Sequence, residues 1–377
     1  MYKKTITWVI ILTFLLSTIF PVIPSVKISS NKIIYVDDDN TEGPWNGTLE
    51  HPYNNIQDAV DNASNYNWVK IFIFNGIYES VIIYEPYPSM DLEGESKDFT
   101  IIDGNQNSIG LNIISEKTFY IYNLTLKNCR IGIRTYANYT RVENCNINNN
   151  DYGIDIHGEL DINTCNIQSN NIGIRVGTSS YIGYNSIIEN EIGIYVVGGI
   201  QVEYNSIIEN EIGIYVIGMG FNADVEFNEI DNNEYGIIAE CARIAIIKNY
   251  INHSKETGIL FKGSYGNLIE KNMIFDNSRG IYLTFLYGAL TIIKSKNNFI
   301  STNNFINNDI HATFDCRNNN WDENYWDDWV GLLGGFRERF PYAITGWFSP
   351  IIPFPWWNFD MRPAKEPYNI NSNAIFT

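Results

Sequence analysis

The sequence predicts an all-β protein built as a parallel β-helix, and three observations lead to this fold class. The dodecamer NSIIENEIGIYV fills residues 185–196 and returns unchanged at residues 205–216, so the chain contains an internal repeat. A period near twenty residues is too short for paired-helix arrays, whose units need about 33 residues or more. Within each unit apolar and polar residues alternate, which indicates strands with side chains pointing alternately inward and outward.

A Gly-Ile pair marks the repeat. It recurs at intervals of 20 to 23 residues, after an opening Gly110-Leu111, at Gly132, Gly153, Gly173, Gly193, Gly213, Gly236, Gly258 and Gly280. Asp309-Ile310 is expected to be a degenerate last member. Each unit is predicted to carry two strands, such as residues 194–196 and 202–207, and the glycine is expected to form a corner with positive φ. Coils stacked at ~4.8 Å give a rod on the order of 40 Å long.

Stacking places equivalent residues of successive units in ladders. Six residues before the glycine lies an apolar position, and three and eight residues before it lie asparagines. Stacked asparagines can hydrogen-bond along the axis, and they also tolerate left-handed corners. Cys145 and Cys165 fall on the second asparagine ladder, in adjacent coils. A separation of ~4.8 Å allows either buried thiols or a disulfide, and the sequence leaves both open.

The two ends differ from the repeats, which are assigned to residues 106–320. Residues 1–30 have a basic start and an apolar run, and they are predicted to be a cleaved export signal or a retained N-terminal anchor. Either alternative places the rest of the chain at the cell surface or in the secreted fraction. Residues 31–105 are predicted to hold an amphipathic helix at 55–63, which caps the first coil, followed by strands at 69–74, 81–84 and 100–102.

Residues 321–377 are rich in tryptophan and proline without any period. An exposed coil end must be covered, so this segment is predicted to be an irregular C-terminal cap and tail. An aromatic platform for sugars is the alternative interpretation.

The repeat units and the ends resemble a known group. The N-x-I and N-N-x-x-G-I units resemble the right-handed parallel β-helix repeats of the pectate-lyase-like superfamily, and within it the NosD-like exported proteins, named for a periplasmic factor linked to copper delivery. YVDDDNTEGPWNGTLEHPYNNIQDAV resembles the leading segment of such proteins from archaea. Asn324–Trp329 and Pro341–Ile344 resemble the terminal N-Y-W-x-D-[YW] and P-Y-x-I elements. The resemblance covers residues 33–367 and implies a fold more strongly than an activity.

One stretch departs from that group. Between the two terminal elements the group usually carries an acidic, glycine-rich loop suited to calcium. Here residues 330–340 read VGLLGGFRERF, with Glu338 as their one carboxylate. Calcium therefore has no ligand set in this loop, and Asp37, Asp38 and Asp39 are the remaining candidates for a calcium site. No other cofactor is predicted.

The candidate ligand site is a row of outward positions two residues after each glycine. We call this row the surface strip; it consists of Arg134, Asp155, Arg175, Tyr195, Tyr215 and Tyr282. Aromatic rings stack on sugars and guanidinium groups bind hydroxyls or carboxylates, so such a row suits an extended glycan. The alternative is that tyrosine and arginine simply suit outward strand positions.

Composition and motifs favour a non-catalytic surface protein. A formal net charge of −18 opposes nucleic acid and other polyanions. The strip holds one carboxylate, whereas lyases of this superfamily need a carboxylate cluster that holds calcium. Asp151 and Asp155 near His157 could act as acid and base, and a solvated loop is the alternative interpretation. The first hypothesis is a structural, adhesion or glycan-binding module, with membrane contact only through an N-terminal anchor. The alternative is a polysaccharide lyase or glycoside hydrolase.

Overall fold

The computed structural model describes residues 32–64, 66–177, 179–218, 222–287, 292–329, 341–347 and 355–370. The predicted signal or anchor and the loop at 330–340 lie outside these residues. Among the helices described here, none is long and apolar enough to cross a membrane.

One short helix and 39 strands make up the described chain. The helix is α1 (Ile56–Asp61). The strands up to the first identical dodecamer are β1 (Lys32–Val36), β2 (Trp68–Ile73), β3 (Gly76–Tyr78), β4 (Val81–Tyr84), β5 (Ser89–Gly94), β6 (Thr100–Asp103), β7 (Ile109–Ile114), β8 (Thr118–Tyr122), β9 (Thr125–Lys127), β10 (Ile131–Thr135), β11 (Tyr139–Glu143), β12 (Asn146–Asn148), β13 (Tyr152–Ile156), β14 (Glu159–Asn163), β15 (Asn166–Gln168), β16 (Ile172–Val176) and β17 (Ser180–Gly183). The next are β18 (Ser186–Ile188), β19 (Ile192–Val196), β20 (Ile200–Glu203), β21 (Ser206–Ile208), β22 (Ile212–Ile217), β23 (Asn222–Glu226), β24 (Glu229–Asp231), β25 (Tyr235–Glu240), β26 (Arg243–Ile247), β27 (Tyr250–Asn252), β28 (Thr257–Lys262), β29 (Leu268–Glu270) and β30 (Met273–Phe275). The last are β31 (Arg279–Tyr287), β32 (Ile292–Lys294), β33 (Phe299–Ser301), β34 (Asn304–Ile306), β35 (Ile310–Phe314), β36 (Asn320–Asp322), β37 (Tyr325–Trp326), β38 (Tyr342–Trp347) and β39 (Pro355–Asp360).

The strands form three parallel ladders, which confirms the β-helix. Face A, the ladder that follows each repeat glycine, contains β4, β7, β10, β13, β16, β19, β22, β25, β28, β31, β35 and β38. Face B contains β1, β2, β5, β8, β11, β14, β17, β20, β23, β26, β29, β33, β36 and β39. Face C is a 12-stranded sheet of β3, β6, β9, β12, β15, β18, β21, β24, β27, β30, β34 and β37. Most coils therefore contribute one strand to each face.

The prediction of two strands per coil is wrong, because the segment 202–207 bends. Tyr204 has φ 57° and separates β20 from β21, and Glu209 has φ 58° and separates β21 from the next coil. Left-handed backbone thus falls one residue before each ladder asparagine rather than on it. The rings of Tyr184, Tyr204 and Phe227 occupy equivalent corners and stack at 5.0 Å centroid spacing. Bulky residues rarely adopt positive φ, and stacking between coils compensates that strain here.

The role predicted for the repeat glycines is also wrong. Gly193 lies inside β19, and the repeat glycines do not have positive φ. A Cβ on Gly193 would lie 2.6 Å from the carbonyl oxygen of Gly213 in the next coil. Glycine is required because the stacked backbones approach too closely for a side chain.

The degenerate last unit is displaced by two residues from its predicted place. In the pairing of β31 with β35, Ile281 lies opposite Ala312 and Arg279 opposite Ile310. His311 therefore stands where earlier coils have glycine, and its imidazole is buried. Asp309-Ile310 is not the equivalent of the Gly-Ile pair.

The interior has the predicted ladders. The apolar position is fully buried at Leu126, Ile147, Ile167, Ile187, Ile207, Ile230 and Ile274. The side-chain amide of Asn190 donates to Asn210 Oδ1 at 3.0 Å, and its own oxygen accepts from Asn170. Asn190 thereby links its own coil to the coils on both sides, which confirms the structural interpretation of these residues.

Two further predictions concern cysteines and caps. Cys145 and Cys165 are buried in adjacent coils, and both are free thiols. The helix α1 begins after the N-cap Asn55, ends at Asp61 and buries Ile56, Ala59 and Val60 near the first strands, which is consistent with the predicted cap.

The C-terminal segment is consistent with a cap. Trp326 stacks between Phe305 and Tyr342, each at 4.2 Å between ring centroids. The buried Asp360 carboxylate accepts a hydrogen bond from Trp326 Nε1 at 3.1 Å. The chain then runs along face C, where Tyr368 and Asn304 exchange two hydrogen bonds.

Candidate functional site

The surface strip exists as a row on face A. The parallel register pairs Arg134 with Asp155, Asp155 with Arg175, Arg175 with Tyr195 and Tyr195 with Tyr215. Five consecutive coils therefore present these side chains side by side, because each lies two residues after its ladder glycine. Tyr282 is separated from them by two further coils, whose strip positions hold the buried residues Ile238 and Leu260.

Asp155 is the centre of a charged cluster rather than a solvated outward residue. Its side chain is only 9% exposed, with Oδ1 3.3 Å from Arg175 Nη1 and Oδ2 3.6 Å from His157 Nε2. The ring of His157 stacks on Tyr136 at 4.5 Å with an interplanar angle of 3°. Asp151 does not take part, since its carboxylate faces Asn171 at the next corner. The sequence placed these groups near one another but did not indicate that the carboxylate is buried.

Arg134 differs from Arg175 in having no bonded partner among the described residues, although it neighbours Asp155 in the register. A half-buried guanidinium without a protein partner is available to an oxygen of a ligand. At the other end of the strip, Tyr195 and Tyr215 meet edge to face at 5.5 Å. Burial raises the pKa of the Tyr215 hydroxyl, which donates to Glu240 at 2.7 Å. That contact fixes the ring of Tyr215 in place.

Tyr282 is engaged in a separate network. Its hydroxyl and that of Thr284 both donate to Asp315. Burial and the Asp315 carboxylate raise the pKa of Tyr282 to about 12. The hydroxyl of Tyr282 is therefore bound within the protein, and the residue lies apart from the row formed by the other five strip residues.

Face B carries a cleft that the sequence analysis missed. It has a volume of about 490 Å³, and its lining includes Tyr139, Asp161, Tyr181, Gln201 and Asp224. A smaller cleft of about 170 Å³ continues it past Asp224 along the same face. The surface strip follows face A alone. The repeat period does place Asp161, Gln201 and Asp224 at equivalent positions of neighbouring coils. This row can be found in the sequence once three strands are assigned to each coil.

Carboxylates border this cleft closely enough to influence one another. Glu203 pairs with Glu226 in the register, and Gln201 pairs with Asp224. Burial, followed by the charge of Asp224, raises the pKa of Glu203. Burial, followed by Glu203 and Asp224, raises the pKa of Glu226. Lys248 opposes these effects at Glu226, and Arg243 lines the smaller cleft, so the region keeps an excess of negative charge rather than a uniform one.

Of the described residues, His311, Asp327 and Asp328 form the one group whose three donor atoms lie within 4.8 Å of one another. His311 Nε2 is 2.8 Å from Asp327 Oδ1, and its Nδ1 is 3.2 Å from the amide nitrogen of Asn308. Asn308 uses its oxygen to accept from Asn277, so its amino group must face the imidazole. Nδ1 is then an acceptor, and the proton on Nε2 is donated to Asp327.

Metal binding at this group is opposed by that arrangement. An ion on Nε2 would move the proton to Nδ1, where it would point at the amino group of Asn308. The geometry favours a structural role, in which the contacts of His311 hold the segment after β37 against the last coils of the β-helix. Of the calcium candidates, Asp38 accepts from the backbone of Ile77 and Asp37 from that of Asp39. Calcium at Asp37, Asp38 and Asp39 stays an untested prediction.

Comparison with known proteins supports the fold. Residues 159–331 match a family model described as "Periplasmic copper-binding protein (NosD)". The A-module of the mannuronan C-5 epimerase AlgE6 from Azotobacter vinelandii is similar in structure, with a TM-score of 0.60 at 15% sequence identity over 71% of this chain and 87% of that one.

Two other structures align more loosely. ORF18 of Geobacillus virus E2 has a TM-score of 0.48 at 14% identity, over 83% of this chain and 64% of that one. A mannuronic acid specific family 6 polysaccharide lyase from human gut microbiota has a TM-score of 0.38 at 12% identity, over 72% and 84%. No curated protein sequence matches the chain. At 15% identity, the similarity to the epimerase module concerns the fold alone.

Proposed function

We propose that this NosD-like repeat protein with a parallel β-helix fold is an extracytoplasmic protein that binds an extended polysaccharide along the surface strip. The observation that carries the proposal is the register of Arg134, Asp155, Arg175, Tyr195 and Tyr215 on consecutive coils. At ~4.8 Å per coil these five residues span about 19 Å, a length suited to a chain molecule rather than to a small ligand.

The two ends of the surface strip offer different groups to a ligand, with arginines at one end and tyrosines at the other. Arg134 has no bonded partner in the part of the chain that the structure describes, so its guanidinium can bind a hydroxyl or a carboxylate of the ligand. Arg175 is held by Asp155, which leaves the rest of its guanidinium fork for a second contact. Tyr195 and the anchored Tyr215 supply rings for stacking. A neutral or mildly acidic glycan fits this pattern, because a polyanion is opposed by the net charge of −18.

Binding is tested with a glycan array followed by calorimetry on the best binder. Arg134→Ala should weaken affinity by about 10-fold or more, since a charge-assisted hydrogen bond contributes about 1.5–3 kcal/mol. Tyr195→Ala should weaken it by about 2- to 12-fold, corresponding to about 0.5–1.5 kcal/mol for a stacked ring. The matched controls are Arg130→Ala, which removes a charge from an exposed corner, and Tyr181→Ala in the cleft of face B.

The outcomes separate the alternatives. Equal losses for Arg130→Ala and Arg134→Ala would mean that only overall charge matters, and loss with Tyr181→Ala alone would move the site to face B. An array without binders would leave a structural or adhesive role, with the strip tyrosines as ordinary strand residues.

A carbohydrate-active enzyme is the second candidate, and the Asp155–His157 pair is the observation that favours it. The half-exposed imidazole can exchange a proton with a bound sugar, and the buried Asp155 carboxylate lies 3.6 Å from its Nε2. Incubation with uronate polymers and neutral glycans in deuterated water tests this. Solvent deuterium at a ring carbon, or unsaturated or shortened products, would establish catalysis if His157→Gln abolished it. Unchanged glycans would leave the binding proposal alone.

A further inference from the structure

The cleft on face B contains polar side chains that have no hydrogen-bond partner among the residues the structure describes. Tyr181, Gln201 and Asp224 line it on three consecutive strands, and none of their polar atoms bonds to another described residue. Asp161, one coil earlier, already accepts from Tyr139 at 3.2 Å. From β11 to β29 the two clefts cross seven strands of face B, which is about 29 Å at ~4.8 Å per coil. Length and polar lining together suit an extended, hydroxyl-bearing ligand.

The charge around the cleft determines which ligand class fits. Asp224 lines it, and Glu203 and Glu226 stand two residues further along β20 and β23. Two cations lie near this group: Arg243 lines the smaller cleft, and Lys248 acts to lower the pKa of Glu226 against the larger effects of burial and the other carboxylates. The three carboxylates still outnumber them. Arg141 is bound to Glu143 at 3.0 Å, and Lys248 lies 4.7 Å over the ring of Phe227. Like charges held together at a partly buried surface are stabilised by an external cation.

We propose that this cleft binds a cationic sugar polymer, of the class of oligosaccharides with free amino groups. The ammonium groups would face Asp224, Glu203 and Glu226, and the sugar rings and hydroxyls would contact Tyr181 and Gln201. A bare divalent ion fits less well, because no three of the acidic oxygens here come within 4.8 Å of one another in the described structure. The site is separate from the surface strip, since it lies on another face and selects the opposite charge.

Glucosamine oligomers and their fully N-acetylated counterparts are the matched probes, because acetylation removes the positive charge and keeps the sugar chain. Calorimetry on the full chain should show binding of the glucosamine oligomer at least 10-fold tighter than that of the acetylated one. Raising ionic strength should weaken the former more than the latter. Asp224→Asn and Tyr181→Ala should each reduce affinity for the glucosamine oligomer about 10-fold, and Arg134→Ala should not affect it.

Glu191→Gln is the control for general attraction to an acidic protein, since it removes one carboxylate from an exposed corner. If Glu191→Gln weakens binding as much as Asp224→Asn, the attraction is non-specific and the proposal fails. It also fails if the acetylated oligomer binds equally well, because the carboxylates then play no part. If the strip variants leave the binding of neutral glycans unchanged, only the proposed function fails. The two results can therefore be told apart.

Discussion

Replacing Asn190 with leucine tests the asparagine ladder at its most regular point. The side chain of Asn190 accepts from the backbone and side-chain nitrogens of Asn170, both at 3.0 Å. It donates to Asn210 Oδ1 at 3.0 Å and to the carbonyls of Ile167 and Ile188 at 3.1 and 3.0 Å. Leucine has a similar shape but can make none of these bonds.

The expected loss of stability follows from the polar groups that the substitution leaves without hydrogen-bond partners. The backbone N–H of Asn170 is buried and would lose its acceptor, at a cost of about 1–3 kcal/mol. The carbonyls and the neighbouring amides lose further bonds whose net value is about 1 kcal/mol each, partly offset by new apolar contacts. We therefore expect Asn190→Leu to lower the free energy of unfolding by about 3 kcal/mol.

Denaturant unfolding measures the total, and hydrogen exchange at the amide of Asn170 measures the local effect. Because solenoid stability is a sum of coil and interface terms, exchange should rise mainly in the coils that flank residue 190. The control is Asn171→Leu, at an exposed corner, which should change stability by about 0.5 kcal/mol or less. If Asn190→Leu unfolds like the wild type and Asn170 keeps its protection, the ladder does not stabilise the helix and the reasoning is refuted.

Three further predictions rest on the same stacking. Gly193→Ala should destabilise the fold by about 1–3 kcal/mol in denaturant unfolding, whereas Gly177→Ala, with open space around its Cβ, should not; equal effects would contradict the close-approach argument. Native Cys145 and Cys165 should react slowly with a thiol reagent and fully after denaturation, because burial raises the pKa of the Cys165 thiol; fast native labelling would disprove their burial. The pKa of Glu203 in the folded state is raised above its ordinary 4.5, so the folded protein binds this proton more tightly than the unfolded chain does. The free energy of unfolding should therefore fall as pH rises from 4.5 through the folded-state pKa. Glu203→Gln should accordingly raise the melting temperature at neutral pH and lose this advantage in acid, and a pH-independent effect would argue against the linkage.

The surface strip shows how far the period alone can locate a site. Arg134, Asp155 and Arg175 were placed in one row correctly, because parallel stacking copies sequence spacing directly into space. The burial of Asp155 was not predictable, since it depends on how the side chains of neighbouring coils fold over one another. The cleft around Tyr181 and Asp224 was missed because finding it requires knowing where each coil turns.

The sequence by itself determined the β-helix, its apolar and asparagine ladders and the neighbouring positions of Cys145 and Cys165. It could do so because every coil repeats the same local pattern and contacts mainly the coils beside it. Only the tertiary structure decided the number of faces, the reason for the glycines and the surroundings of His311. Those depend on left-handed corner residues such as Tyr204 and on the distance between stacked backbones, and residue type alone specifies neither.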